Sequence, residues 1–337
     1  MPRGRPSRAT VYARLEAALS ELNARLGGLP TPEEADFVWR DIWHLEAHHS
    51  TALEGNTLVI REVEALLERG RAVGAKPLKE YMEVQGYADA ARWVYAQAHN
   101  GEQLTPGELL TLTELREIHA TVMGPVWQVA PHPEATDRES PGQFREHDIA
   151  EFDGGMKPPS WALVPVMVRD WLDSANLAGS RLTDAAYGPL PEQLAALHHE
   201  FEKVHPFIDG NGRTGRLVLN LVLVRLGYPP VVILKQQRAA YLAALQRADS
   251  GDHGLLGELL ARAMLDNINR FILPSVAGPA RLVPLASLVD ERFTIAALRQ
   301  AAQRGRLDAI QGSDGVWRST RRAVDDYARS KGRRRPD

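Results

Sequence analysis

The sequence predicts a mostly α-helical body with one small β-hairpin, followed by a tail that has the pattern of a winged helix-turn-helix. Three observations carry this expectation. Apolar residues recur at helical spacing through most of the chain up to Leu273. One stretch, Ala130 to Gly155, breaks the pattern: Pro, His, Gly, Asp and Arg dominate it, and Asp153-Gly154-Gly155 is a tight-turn signal between short extended segments. Beyond Pro274-Ser-Val-Ala-Gly-Pro279 the pattern becomes two short helices, two short strands and a last helix.

Taken in order, Val11, Leu15, Leu19, Leu22 and Leu26 define a first helix that Gly27-Gly28 ends. A second helix is expected from Glu33 to Glu54, with Phe37, Ile42 and Leu45 turned inward and Gly55-Asn56 as its stop. Ser50 and Glu54 lie one turn apart on that helix and share a face. Further helices are expected at Glu62–Arg69, Lys79–Ala98, Leu109–Met123 (started by Thr105-Pro-Gly-Glu108), Pro165–Leu177, Pro191–Val204, Ala239–Asp249 and Gly254–Leu273. Pro274–Pro284 reads as a linker. In the tail, helices are expected at Leu285–Glu291, Thr294–Arg304 and Arg321–Ser330. Strands at Arg306–Ile310 and Val316–Ser319 would form the wing around Gly312-Ser-Asp-Gly315.

Composition narrows the chemistry. The chain has 337 residues, 44% hydrophobic and 25% charged, enough for two or more domains. It has no cysteine, so thiol nucleophiles, thiolate metal sites and disulfides are excluded, and a cytoplasmic setting is expected. Neither a signal peptide nor a transmembrane helix is expected, because the opening is basic and Asn220 and Arg225 interrupt the longest apolar run. The net charge of −3 is uneven: from Arg281 onward, thirteen Lys/Arg stand against seven Asp/Glu. A tail with that surplus suggests a partner different from the body's.

The most informative stretch is His205-Pro-Phe-Ile-Asp-Gly-Asn-Gly-Arg-Thr-Gly-Arg216. Asp209-Gly210-Asn211-Gly212 disfavours helix and is expected to turn. The apolar run from Leu217 to Val224 then reads as a buried helix ending at Gly227. A glycine-rich turn feeding a helix offers free N–H groups and the positive end of the helix dipole to an anion. Arg213 and Arg216, on one helical face, add fork-shaped donors suited to phosphate. Gly210, Gly212 and Gly215 also satisfy G-x-G-x-x-G, but no β-branched strand precedes them and no acidic residue follows at the dinucleotide spacing.

This stretch resembles the Fic motif, with every motif position filled. Ser50-Thr-Ala-Leu-Glu-Gly55 resembles the family's inhibitory-helix motif, and Pro141-Gly-Gln-Phe-Arg145 with the segment through Lys157-Pro-Pro159 resembles its flap region. The resemblance covers roughly residues 35 to 275 and implies an all-α Fic/Fido fold with a small β-hairpin flap. It also implies transfer of AMP from Mg-ATP to a Ser, Thr or Tyr hydroxyl of a target protein. His205 would be the catalytic base and Asp209 the Mg2+ ligand; Gly210, Asn211, Gly212, Arg213, Gly215, Arg216 and Tyr241 would bind ATP. Glu54, with Ser50 and Gly55, would be inhibitory by pairing with Arg216. Where the kinase-like Doc branch of the family carries Lys, this chain has Gly212, which favours AMP transfer over phosphate transfer.

The expected division is a helical region at 1–110 carrying the inhibitory helix, a Fic core at 111–275, and a winged helix-turn-helix-like unit at 282–337. The last resembles excisionase-type modules and opens a DNA contact through 282–337, with a merely solvated basic surface as the rival reading. A homodimer stays open, as does a bifunctional enzyme that also removes AMP. The other functional class is a DNA-binding regulator with a Fic body. His198 and His199 are expected to pack or cap, and His44 and His48 to lack the acidic partners a metal would need. Lys157 and Tyr241 could face a target or adenine, or serve structure alone.

Overall fold

A computed structural model describes residues 6–98, 109–152, 156–181, 185–272, 282–311, 315 and 317–332. Helix α8 (Asn211–Arg225) runs through the middle of the body, and all its residues but Gly212 are buried. Its first turn carries the polar motif residues and its remainder is Leu and Val, so it supplies both the site and the core. Packed around it are α2 (Pro32–Leu53), α4 (Leu78–Tyr95), α5 (Leu112–Val129) and α7 (Leu190–Val204). Outside these lie α1 (Arg8–Leu26), which packs on α10 (Gly254–Asn267), together with α3 (Ile60–Arg69), α6 (Val164–Arg181) and α9 (Arg238–Ala248).

Helices α2 and α8 are tied in antiparallel register by polar pairs at successive turns. Glu46 meets Asn220, Ser50 meets Arg216, and Glu54 comes against Gly212. Four-residue steps along both helices keep these groups on the facing stripes. Glu46 is buried and accepts from Tyr87 Oη (2.7 Å), Asn220 Nδ2 (2.8 Å) and the hydroxyl of Tyr95. Burial pushes its carboxyl up to about 7, against the three hydrogen bonds that favour its charged form.

Phe37 of α2, expected inward, lies exposed on the surface, and three further expectations about the body need correction. Helix α8 begins at Asn211, not after Gly215, with Gly210 in the left-handed conformation (φ 79°) as its N-cap. The Asn211 side chain forces this start: its Oδ1 accepts from Phe207 N–H (2.9 Å) and its Nδ2 donates to Phe207 O (2.8 Å), closing the turn over four residues. Helix α5 continues past Met123 through Pro125 to Val129. Burial of Val126 and Met123 outweighs the single backbone hydrogen bond that the proline forfeits. The flanks of the expected hairpin form no regular strands; Phe152 N–H donates to Met156 O (3.0 Å), and Asp153-Gly154-Gly155 lies outside the described residues. The start signal at Thr105–Glu108 lies outside them too.

The tail has its own small core of Leu285, Leu288, Phe293, Leu298, Ala301, Ala302, Leu307 and Val324. Around it stand α11 (Ile295–Gln303), α12 (Arg321–Gly332) and an antiparallel sheet. Strand β3 (Trp317–Ser319) lies between β1 (Val283–Pro284) and β2 (Ala309–Gln311), with Ser319 opposite both Val283 and Ala309. The expected linker therefore ends in a strand, and most of the rest of it, like Gly312–Asp314, lies outside the described residues. The helix expected at Leu285–Glu291 shortens to a 3-10 turn, Leu285–Leu288, because Asp290 and Phe293 pair backbone to backbone and draw the chain out of helix. Arg318 of β3 meets Glu34 of α2 at 2.8 Å in a largely buried pair that joins tail to body.

Candidate active site

Helix α7 ends at His205, which caps it in the left-handed conformation (φ 47°), the one described non-glycine residue with positive φ. Such backbone costs on the order of 1–3 kcal/mol and persists only where its surroundings hold it. Here Arg145 does so. Its fully buried guanidinium donates from Nε to His205 O (2.9 Å), from Nη1 to His147 O (3.0 Å) and from Nη2 to Pro159 O (2.6 Å). One side chain thus ties the end of α7 to both arms of the segment around residues 153–155. Sequence reasoning passed over Arg145 as a site residue, although it named the segment that contains it.

The imidazole of His205 is half-buried. Its Nδ1 lies 3.2 Å from Glu202 O, which accepts only if Nδ1 carries the proton, leaving the Nε2 lone pair available. Burial lowers the His205 pKa to about 4, so the ring is neutral at pH 7. Phe152 approaches its face edge-on at 4.8 Å between centroids.

The turn from Pro206 to Gly210 is built around Phe207, which is fully buried and stacks on His119 at 3.7 Å with the rings 7° from parallel. His119 is a second residue that the sequence did not reveal. Its Nε2 donates to Asp209 O (2.9 Å) and its Nδ1 accepts from Gly142 N–H (2.8 Å), an arrangement that needs the neutral ring. Burial lowers its pKa to about 4, which keeps it in that form. At Gly210 a Cβ would come within 2.6 Å of Met123 Sδ, so the turn closes only around a glycine.

Asp209 accepts from its own Gly210 N–H (2.6 Å) and from Arg213 Nη2 (3.1 Å) through Oδ1. Burial presses its pKa upward, but Arg213 and the Gly210 N–H outweigh that and hold it low, so it is ionised. Arg213 is buried, yet its Nε and Nη1 have no hydrogen-bond partner; Glu83 Oε1 lies 4.0 Å from Nη1. Buried donors left open in a cationic side chain are costly and point to an absent anionic ligand.

Arg216, the second arginine, is fully engaged by α2. Its Nε donates to Ser50 Oγ (2.7 Å), and its Nη2 to Ser50 O (2.9 Å) and Glu54 Oε1 (2.7 Å). Burial works against its charge, but Glu54, Tyr241, Tyr87 and Glu202 raise its pKa further above the usual arginine range. Burial presses the Glu54 pKa up, and Arg216 overrides it and keeps Glu54 ionised. The Glu54 side chain nevertheless keeps 41% of its surface exposed. A Cβ at Gly212 would lie 2.6 Å from Glu54 Oε1, so the absence of a side chain there makes room for the carboxylate. Gly55, with φ 100°, ends α2 just beyond.

The remaining candidates sit differently. The side chain of Asn211 is committed to Phe207, leaving its backbone for a ligand. Tyr241 is buried with its hydroxyl 2.7 Å from His198 Nε2, beneath Arg216 and not in an open cleft. Gly215 has Glu202 Oε1 within 2.5 Å of where its Cβ would be, which explains the glycine by packing. Lys157 is exposed. His199 pairs with Asp249 (2.8 Å), and among the described residues no group of three or more His, Asp or Glu could hold a metal. A cavity of about 390 Å3 between α6, α7 and His253 contains none of the motif residues.

Residues 109–223, which include Arg145 and the stretch from His205 to Arg216, match the model of the Fic/DOC family. The chain carries a Fic/DOC domain. It is 32% identical over 245 residues to a Drosophila willistoni protein named Protein adenylyltransferase Fic, an alignment covering 70% of this chain and 44% of that relative. The chain thus spans less than half the length of that curated relative. Among solved structures, Fic-1 from C. elegans superposes with a TM-score of 0.60 at 27% identity, covering 78% of this chain and 71% of that one. A Fic domain containing signaling protein from Bacteroides thetaiotaomicron superposes at 0.56 with 28% identity, covering 79% and 92%. The Fic/DOC match takes in α5 through most of α8, while α2, which supplies Ser50 and Glu54, lies upstream of it. Among the described residues no helix is long and apolar enough to cross a membrane.

Proposed function

We propose that this chain transfers AMP from Mg-ATP to a Ser, Thr or Tyr hydroxyl of a protein target and that Glu54 holds it in a low-activity state. The observation that carries the reading is Arg213, a buried guanidinium with two open donors beside an ionised aspartate. The name adenylyltransferase borne by the curated relatives supports the same reaction.

In this reading the target hydroxyl gives its proton to His205 Nε2 as its oxygen attacks the α-phosphorus. The bond from that phosphorus to the bridging oxygen breaks, and pyrophosphate leaves with the electron pair. Backbone N–H groups of Asn211 and Gly212 at the start of α8 face the charge that develops on the α-phosphate, while Gly210, its N–H held by Asp209, shapes the turn. Arg213 takes the β-phosphate with its open donors, and Arg216 the γ-phosphate once Glu54 withdraws. Gly215 serves by packing and Tyr241 by bracing Arg216 from below. Asp209 offers the single ionised carboxylate that suits Mg2+, which binds through one or two carboxylates plus substrate phosphates and, when bound, neutralises phosphate charge. Residues 1–110, 111–275 and 282–337 then divide into an inhibitory helical region, a core and a winged unit, the last being the part that contacts DNA.

The test is incubation with Mg2+ and ATP radiolabelled at the α-phosphate, comparing wild type, Glu54→Gly and His205→Ala. Wild type labels itself weakly, Glu54→Gly strongly and His205→Ala not at all. Label persisting in His205→Ala would sink the base assignment, and γ-phosphate label in its place would sink AMP transfer.

A further inference from the structure

Two carboxyl groups act on Arg216, and only one of them pairs with it. Glu54 reaches Nη2 from the C-terminal end of α2. Glu202, on α7, is buried and close enough to Arg216 and Glu54 for both to influence its ionisation. Its Oε1 has no hydrogen-bond partner. His198 Nε2 stands 3.7 Å away and is engaged with the Tyr241 hydroxyl instead. Gly215 makes room for this carboxyl, since a Cβ there would lie 2.5 Å from Glu202 Oε1. A buried carboxyl without a partner costs stability, and an apolar side chain filling the same space would not carry that cost.

Four other ionisable groups face this carboxyl: Arg216 from α8, Glu54 from α2, Tyr241 from α9 and His198 from α7 itself. None of the four changes charge near neutrality. Arg216 and Tyr241 are pushed above their usual ranges, Glu54 is held low, and burial lowers His198 to about 3. Glu202 differs from all of them. Burial raises its carboxyl to about 7 against the pull of Arg216, so a modest change in the charge around it decides its protonation.

We infer that Glu202 is a positioning residue for the terminal phosphate of ATP, taking up a proton as that phosphate settles on Arg216 and releasing it when the phosphate leaves. The inference rests on the AMP-transfer reading, in which Arg216 receives the γ-phosphate once Glu54 withdraws. With Glu54 withdrawn and no nucleotide bound, the guanidinium charge acts on Glu202 unopposed and favours its carboxylate. An arriving phosphate brings negative charge to the same guanidinium, and a second anion beside it is then disfavoured. The proton comes from solvent, and no bond to phosphorus is made or broken in the step. Neutral, Glu202 leaves the whole of the arginine's charge to the phosphate; ionised, it offsets part of that charge from within the protein. The carboxyl therefore distinguishes a nucleotide that reaches Arg216 from one that stops at Arg213, which is to say ATP from ADP.

The experiment is isothermal titration calorimetry of Mg-ATP and Mg-ADP into the full chain carrying Glu54→Gly and His205→Ala, so that nucleotide binds without transfer. Repeating it at pH 7 in buffers of different ionisation enthalpy counts the protons taken up per nucleotide. ATP takes up roughly half a proton or more and ADP close to none, and adding Glu202→Gln abolishes the uptake. Between pH 6.5 and 8 the affinity for ATP falls roughly three- to tenfold while that for ADP holds; with Glu202→Gln added, ATP affinity holds as well. A packing role for Glu202 would leave proton uptake the same for both nucleotides. Circular dichroism checks that the Glu202→Gln variant folds, and the comparison of ATP with ADP stands without that variant. Equal uptake with ATP and ADP, or uptake that survives Glu202→Gln, overturns the role of Glu202 and leaves AMP transfer standing. Failure of both nucleotides to bind at any pH overturns the nucleotide reading of the site and this inference with it.

Discussion

Arg216 is gripped by two residues one turn apart, Ser50 and Glu54, and only the Ser50 grip is wholly buried. Ser50 holds Nε through its hydroxyl and Nη2 through its carbonyl, both buried. Glu54 holds Nη2 from a side chain that is 41% exposed. Departure of Glu54 therefore leaves the guanidinium in place with an open donor, ready for an incoming anion. On the proposed reading, Ser50 keeps Arg216 positioned and Glu54 decides whether it is free.

Replacing Glu54 by Gly should raise initial self-labelling at least severalfold while changing stability by about 0.5 kcal/mol or less, since half-exposed ion pairs contribute little. Replacing Ser50 by Ala should act the other way, lowering the labelling rate of Glu54→Gly because Arg216 loses its fixed partner. Equal rates for Glu54→Gly with and without Ser50→Ala would refute the split between holder and gate. Thermal melts alongside the labelling assay separate rate from unfolding.

Both ends of that contact were legible in the sequence, because their spacing is local: Ser50 to Glu54 is one turn, and Arg213 to Arg216 another. His119, Arg145 and Glu46 were not. Each acts across a gap in the chain, His119 on Asp209 and Arg145 on His205, and no periodicity encodes a contact of that kind. The helical body followed from apolar spacing, but the start of α8 did not. Propensity argues for a turn at Asn211-Gly212, and the Asn211–Phe207 hydrogen bonds override it. The tail's extra strand Val283–Pro284 is two residues long and has no pattern to read.

The His205 pKa near 4 predicts the pH profile of labelling. The neutral ring needed to accept a proton predominates above that value. In Glu54→Gly the rate should be flat from pH 6 to 8 as far as this group is concerned and should fall below about pH 5. An acid limb centred near 6.5, the ordinary histidine value, would show that its surroundings do not favour the neutral ring.

Glu202 should destabilise the protein at high pH. It is buried, its Oε1 has no hydrogen-bond partner, and burial raises its pKa to about 7. A carboxyl whose folded pKa lies above its unfolded value contributes stability in full below about 4.5, and that contribution is lost as pH rises through 7. Glu202→Gln removes the charge and keeps the shape, so its Tm should exceed that of wild type by more at pH 8 than at pH 5.5. A difference independent of pH would mean that Glu202 is ionised or paired throughout.

Asn220 is the position where a single truncation should cost most. Its Nδ2 lies within hydrogen-bonding distance of Glu46 Oε1 (2.8 Å), Tyr95 Oη (3.2 Å) and Val231 O (2.9 Å), and its Oδ1 accepts from Val231 N–H (2.8 Å), all in the core. Asn220→Ala strands the buried N–H and C=O of Val231 and leaves Glu46 Oε1 with Tyr87 as its hydrogen-bond donor, which should cost about 2–4 kcal/mol. It also removes the first pair of the α2–α8 register that ends at Glu54. Chemical denaturation should therefore show the loss in midpoint at an unchanged slope. In a folded fraction at low temperature, labelling should rise above wild type as Glu54 loses its seat against Gly212. A stable Asn220→Ala variant with wild-type labelling would show that Ser50 and Glu54 hold their register without the buried Glu46–Asn220 pair.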